Sequence, residues 1–215
     1  MCVKVTDAAF DQDCRRCDRL SGFLQEVSEQ YPDYFARPVP PFGDPHAQLL
    51  IVGLAPGMHG ANRTGRPFTG DHAGILLYRT LYECGFSNQP ESVSADDALE
   101  LKNCRITNAV KCLPPQNKPT TQEIRQCNDF LHTELTAMPP GSVVLALGKI
   151  AHDAVLRSLG LTLSKHRFAH AAEHDLDPFV LLDSYHCSRY NTQTRRLTDD
   201  MFRAVFQRVK TLLEN

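Results

Sequence analysis

The chain has 215 residues, 42% of them hydrophobic and 22% charged, enough for one α/β domain over residues 1–215 with a sizeable core. No apolar run approaches the roughly 20 residues of a membrane span, and MCVKVTDAAFDQDC lacks the basic and apolar parts of a signal peptide, so a cytoplasmic monomer with no membrane partner is expected. A formal net charge of −2 excludes a protein that coats nucleic acid through overall charge and leaves only a local basic patch for DNA.

In chain order, the C-x2-C pair Cys14 and Cys17 comes first, followed by the helical rhythm of LSGFLQEVSEQY and an irregular, proline-rich connection, YPDYFARPVPPFGDPHAQ. QLLIVGL, RITNAV, SVVLALG and PFVLLDS are short and aliphatic, as strands buried on both faces of a parallel sheet are. AGILLYRTLYECGF, TTQEIRQCNDFLHTELTAM and KIAHDAVLRSLG lie between them, TDDMFRAVFQRVKTLL lies after them, and all carry apolar residues at helical spacing. Thr120 with Glu123 has the form of a capping box, which starts a helix after PPQNKPT. The alternation predicts a three-layer α/β/α sandwich around a central, mainly parallel sheet of at least four strands. Ligands of such sheets sit beyond the carboxyl ends of the strands, so the chemistry is expected in GLAPGMHGANRTGRPFTGDH, NAVKCLPPQNKPT, GKIAH and SYHCSRYNTQTRRLT.

The eight cysteines are Cys2, Cys14, Cys17, Cys84, Cys104, Cys112, Cys127 and Cys187. In a reducing compartment metal binding or burial explains them better than disulfides. Cys14, Cys17, Cys112 and Cys127 form a candidate four-thiolate set, which suits a tetrahedral zinc or a four-iron cluster. Cys84, Cys104 and Cys187 are expected as buried thiols.

Taken together, C-x2-C, GLAPGMHGANRTGRPFTGD, ITNAVKC, PPQNKPTTQE and HCSRYNTQTRRLT resemble the uracil-DNA glycosylase superfamily over about Cys14 to Leu197. TN-x-VKC with PP-x-N-x-PT-x-x-E is similar to its branches that hold a [4Fe-4S] cluster, and GANRTGRPFTGD with SYHCSRYNTQT looks like family 5. The resemblance implies iron–sulfur rather than zinc on the four cysteines, and DNA carrying uracil or another deaminated base as partner.

It also implies site residues, some with a plain structural alternative. Phe68 would stack on a flipped base, or be an ordinary core phenylalanine. Asn108 would read the pairing edge of uracil, or form a turn at a strand end. His186 would donate to uracil O2 as negative charge develops there. Ser188 and Asn191 complete the H-x-S-x-x-N pattern and orient the loop or a phosphate, while Gly53 and Ala55 line the pocket from the first strand. Leu54 stands where other branches carry a residue that polarises water. Asp71 is therefore the candidate for that task, though it is equally a favoured helix N-cap; His59, Asn62 and His72 are the alternatives. Arg63, Arg66, Arg189, Arg195 and Arg196 are expected as a phosphate-binding rim, with Leu197 or Tyr190 as the wedge that fills the gap left by the base. His132, His152, His166, His170 and His174 are expected as surface or core residues.

Overall fold

The computed structural model describes residues 10–214, so Cys2 lies outside the described residues. The sheet order is β1-β3-β2-β4-β6-β5. Its four central strands, β2 (Leu49–Gly53), β3 (Cys104–Asn108), β4 (Ser142–Leu147) and β6 (Phe179–Ser184), are the four expected aliphatic runs, and they pair in parallel. Two short antiparallel edges, β1 (Phe42–Gly43) and β5 (Glu173–Asp175), extend the sheet beyond the expected four strands. β1 interrupts the proline-rich connection where irregular chain was expected.

Every residue of β2 and β4 is buried, because helices cover both faces. One face packs α1 (Asp18–Gln30), α4 (Thr121–Thr136) and α5 (Lys149–Ser158) through Leu20, Leu24, Ile124, Phe130 and Val155 onto Leu50, Val52, Val144 and Ala146. The other packs α3 (His72–Glu83) and α7 (Asp199–Leu213) through Leu77, Tyr78, Phe202 and Phe206 onto Leu49, Ile51, Val143 and Leu145. The alternation of side chains along each strand sends successive residues to the two layers. Short helices α2 (Ala61–Thr64) and α6 (Arg189–Gln193) lie in the segments leaving β2 and β6.

β3 lies on one side of β2 while β4 and β6 lie on the other. The carboxyl ends of β2 and β4 therefore flank the switch point, where open parallel sheets form their crevice. Gly53, Asn108, Gly148 and His186 all stand at or just beyond this rim.

Candidate active site

Gly53 ends β2 directly opposite Asn108, which ends β3. A Cβ on Gly53 would collide with Asn108 Oδ1 and reach 2.7 Å from Phe68 Cζ, so only glycine lets the amide and the ring approach. Phe68 is buried and held at φ +56°, a left-handed conformation that costs a non-glycine residue about 1–3 kcal/mol. Its surroundings fix that geometry: the Phe68 carbonyl fills the space where Gly74 lacks a Cβ, and Tyr78 Oη donates to the preceding Pro67 carbonyl at 2.7 Å. The imidazole of His186 faces the Phe68 ring at 5.9 Å between centroids and 28° between planes. Burial pushes His186 down to about 4, so the ring is neutral at physiological pH and can offer one N–H as a donor.

The loop after β6 is braced locally. Asn191 Nδ2 donates to the His186 carbonyl at 2.8 Å, and Ser188 Oγ caps α6 by accepting from Asn191 N at 3.4 Å. Asn191 thus braces the His186 backbone directly, and Ser188 braces Asn191. Ala55 packs against the core beside the loop leaving β2.

Asp71 is both a cap and a free carboxylate edge. Oδ1 accepts from Gly74 N at 2.9 Å and starts α3, while Oδ2 points at Gly60, where a Cβ would stand 2.8 Å away. Desolvation raises its pKa despite bonds from Gly74 and Ala73, as a general base requires. Asn62 is completely buried, and both its Oδ1 and its Nδ2 lack a partner among the described residues. His72 Nδ1 is likewise unpartnered. His59 is committed elsewhere, its Nδ1 2.8 Å from Tyr34 Oη.

On the α1 side, the four cysteines line one pocket with Leu20, Pro38 and Phe130, and all four are free thiols. The local fold explains their meeting. Thr120 and Glu123 form the expected capping box, and the Glu123 carboxylate also takes a forked bond from Arg19 at 2.7 and 2.6 Å. That fork ties α1, which begins after Cys17, to α4, which carries Cys127. Burial pushes Cys17 up to about 11, assisted by the charges of Cys127, Glu123 and Cys14. Burial, then Cys127, Cys14 and Cys17, raise Cys112 as well. Lys111 N donates to Cys127 Sγ at 3.3 Å. Cys84, Cys104 and Cys187 are buried thiols outside this pocket, as expected.

The sequence as a whole agrees with this arrangement. The family description "Uracil DNA glycosylase superfamily" matches residues 40–210, well over half of the chain. This chain belongs to that superfamily. It is 49% identical to the type-5 uracil-DNA glycosylase of Thermus thermophilus over 93% of each chain. Its identity to the type-5 uracil-DNA glycosylase of Pyrobaculum aerophilum is 44%, over 91% of this chain and 87% of the relative. A type-4 uracil-DNA glycosylase from Archaeoglobus fulgidus is 34% identical over 69% of this chain and 61% of its own.

Within this glycosylase-superfamily fold, the basic rim is smaller than expected. Arg63, Arg189, Arg195 and Arg196 are exposed, with Arg196 resting over the Tyr185 ring at 4.6 Å. Arg66 is not part of the rim. It is buried, paired with Asp97 at 2.5 Å, bonded to Ser92 Oγ at 3.1 Å, and set over Phe42 at 4.5 Å. It pins the segment around Ser92–Asp97 against the loop that carries Phe68. Leu197 is 1% exposed and belongs to the core under α7, which removes it as a wedge, whereas Tyr190 is 70% exposed on α6. Three of the residues not expected to act together do meet: among the described residues, His152, His174 and Asp183 bring a ring nitrogen each and a carboxylate oxygen within 4.8 Å of one another. Nothing in the sequence joins residues 31 positions apart.

Proposed function

We propose that this chain removes uracil from DNA by hydrolysing the bond between N1 of the base and C1′ of deoxyribose, after the nucleotide is flipped out of the helix. The observation that carries this reading is the pairing of a strained, buried Phe68 with a neutral His186 beside the buried amide of Asn108. A planar base fits against Phe68, Asn108 meets its pairing edge, and His186 donates to O2 as the C1′–N1 bond breaks and electrons move onto the base. A donor that matters most in the transition state accelerates the step rather than tightening substrate binding.

Water attacks C1′ and loses its proton to Asp71 Oδ2, the oxygen left over from helix capping. The unmet amide of Asn62 supplies a second polar group that can hold this water, since a completely buried amide without partners is costly unless something binds it. Arg63, Arg189, Arg195 and Arg196 contact phosphates, and Tyr190 enters the gap left by the base.

The four cysteines fit a [4Fe-4S] cluster. All four are free thiols that line one pocket, the donor set that such a cluster takes. Cys14 and Cys17 before α1, Cys112 in the β3–α4 connection and Cys127 on α4 would hold the cluster, which would tie these segments together.

The experiment is single-turnover cleavage of oligonucleotides carrying uracil, hypoxanthine, cytosine, or thymine opposite guanine. Asn108→Ala slows uracil excision and narrows the preference over cytosine, whereas Phe68→Ala slows every accepted base. Wild-type rates and discrimination in folded Asn108→Ala would refute the edge-reading role.

A further inference from the structure

Asp183 lies on β6 three residues before His186 and is completely buried. Each of its carboxylate oxygens faces an imidazole: Oδ1 is 2.8 Å from Nδ1 of His152 on α5, and Oδ2 is 3.1 Å from Nε2 of His174 on β5. The other nitrogen of His152, Nε2, lies 2.9 Å from the His166 carbonyl oxygen. A carbonyl only accepts, so Nε2 carries a hydrogen. One hydrogen then lies between Nδ1 and the Asp183 oxygen, and the bond and charge of Asp183, which raise His152, favour it on the ring. A ring protonated on both nitrogens is an imidazolium, and it supplies the countercharge that a buried carboxylate requires. Burial opposes the charged ring, yet the bond and charge of Asp183 outweigh it and hold His152 above its ordinary value.

This pair is built into the frame that carries His186. Gly148 N donates to the Ser184 carbonyl at 2.8 Å, and His152 N to the Gly148 carbonyl at 3.1 Å. A Cβ on Gly148 would stand 3.4 Å from His186 Cβ, so the first turn of α5 runs from the flank of His186 to Asp183. On the opposite side, Ala171 N donates to the Asp183 carbonyl at 2.9 Å, Tyr185 N donates to His170 Nδ1 at 3.2 Å, and His170 stacks on Tyr185 at 5.0 Å.

We propose that His152, clamped as an imidazolium between Asp183 and the His166 carbonyl, is a positioning residue for catalysis: it locks the carboxyl end of β6 so that His186 is aimed at the departing base. The proposal rests on the role given to His186 above. The titratable groups facing His152 are Asp183 from β6, His174 from β5, His166 from the connection after α5, and Asp153 on its own helix, which pairs with Lys149 at 2.7 Å. Because the folded value lies above that of the unfolded chain, the contribution of the clamp is complete below pH 6.5 and is lost as pH rises through the folded value.

The test combines 15N NMR of the His152 ring in wild type with single-turnover kinetics of His152→Gln, Asp183→Asn, the double variant and His186→Ala. At pH 7 both ring nitrogens of His152 are protonated. His152→Gln cleaves about tenfold or more slowly, with Kd for uracil DNA within about twofold. It melts roughly 10 °C lower because the buried carboxylate loses the countercharge on Oδ1 and keeps only His174 on Oδ2, and adding Asp183→Asn restores the melting temperature. A neutral His152 ring at pH 7, or one tightly held zinc per chain between these side chains, would overturn the proposal, and the NMR decides even if a variant does not fold. A slow His186→Ala beside a fast, folded His152→Gln removes this proposal alone. A fast His186→Ala removes the His186 role and the proposal with it.

Discussion

Titration of His186 gives a prediction with a magnitude. Its folded-state pKa is about 4 against the ordinary 6.5, and at about 1.4 kcal/mol per pH unit that difference is worth roughly 3 kcal/mol. Between these two values the unfolded chain binds a proton that the folded protein refuses, so stability attributable to this residue falls as pH drops from 6.5 toward 4. His186→Asn keeps a polar side chain and cannot titrate. The wild-type melting temperature, measured relative to His186→Asn, should therefore fall by about 6–12 °C over that range, at about 2–4 °C per kcal/mol for a domain of this size. Other shifted groups, such as His170 and Asp71, are common to both proteins and cancel. Kinetics test the same statement. A neutral donor predicts a wild-type to His186→Asn rate ratio that is flat from about pH 5.5 to 8 and falls only as the ring protonates near 4. A melting-temperature difference independent of pH, or a rate ratio falling about tenfold per pH unit above neutrality as a cationic donor requires, would refute the reasoning.

Asp71→Asn keeps the capping oxygen for Gly74 N and should melt within a few degrees of wild type while cleaving about a hundredfold or more slowly; wild type itself should lose rate on the acid side through a value above 3.8. Equal rates would leave Asp71 as a helix cap and shift the water to Asn62 and His72. Arg66→Ala should destabilise by about 3 kcal/mol through the unpaired Asp97 without altering the salt dependence of DNA binding, whereas Arg196→Ala should lower the slope of log Kd against log salt by about 1. The reverse pattern in binding titrations would return Arg66 to the rim. Anaerobically prepared protein should be brown and carry about four iron atoms per chain; Cys→Ala at Cys14, Cys17, Cys112 or Cys127 should cost that iron, and at Cys84 or Cys104 should spare it. Zinc without iron would contradict the cluster.

The central sheet was legible because strands buried on both faces must be continuously aliphatic, as LLIVG and SVVLAL are. β1 and β5 escaped notice because two or three residues at an edge, one of them the polar run Glu173–Asp175, take their register from the neighbouring strand rather than from their own pattern. The capping box at Thr120 was legible because both of its bonds are local. Arg66 was misplaced for the opposite reason: its partner Asp97 lies on another loop, and only folding shows that the guanidinium turns inward. Leu197 follows two exposed arginines, yet its amide bonds back to the Asn191 carbonyl at 3.0 Å and its side chain enters the core. The clamp on Asp183 draws on three separate segments, none of which carries a recognisable motif. A carboxylate in the middle of FVLLDS was the available signal, since a charge in a fully buried strand demands a partner.

The measurement closest to the central claim is the product of a single turnover on a duplex with one uracil, analysed by mass spectrometry for free base and by mild alkali for the abasic site. Stoichiometric free uracil with an alkali-labile strand, lost together in His186→Ala, is the result the account predicts. An intact uracil strand after prolonged incubation with folded, DNA-binding protein would contradict it.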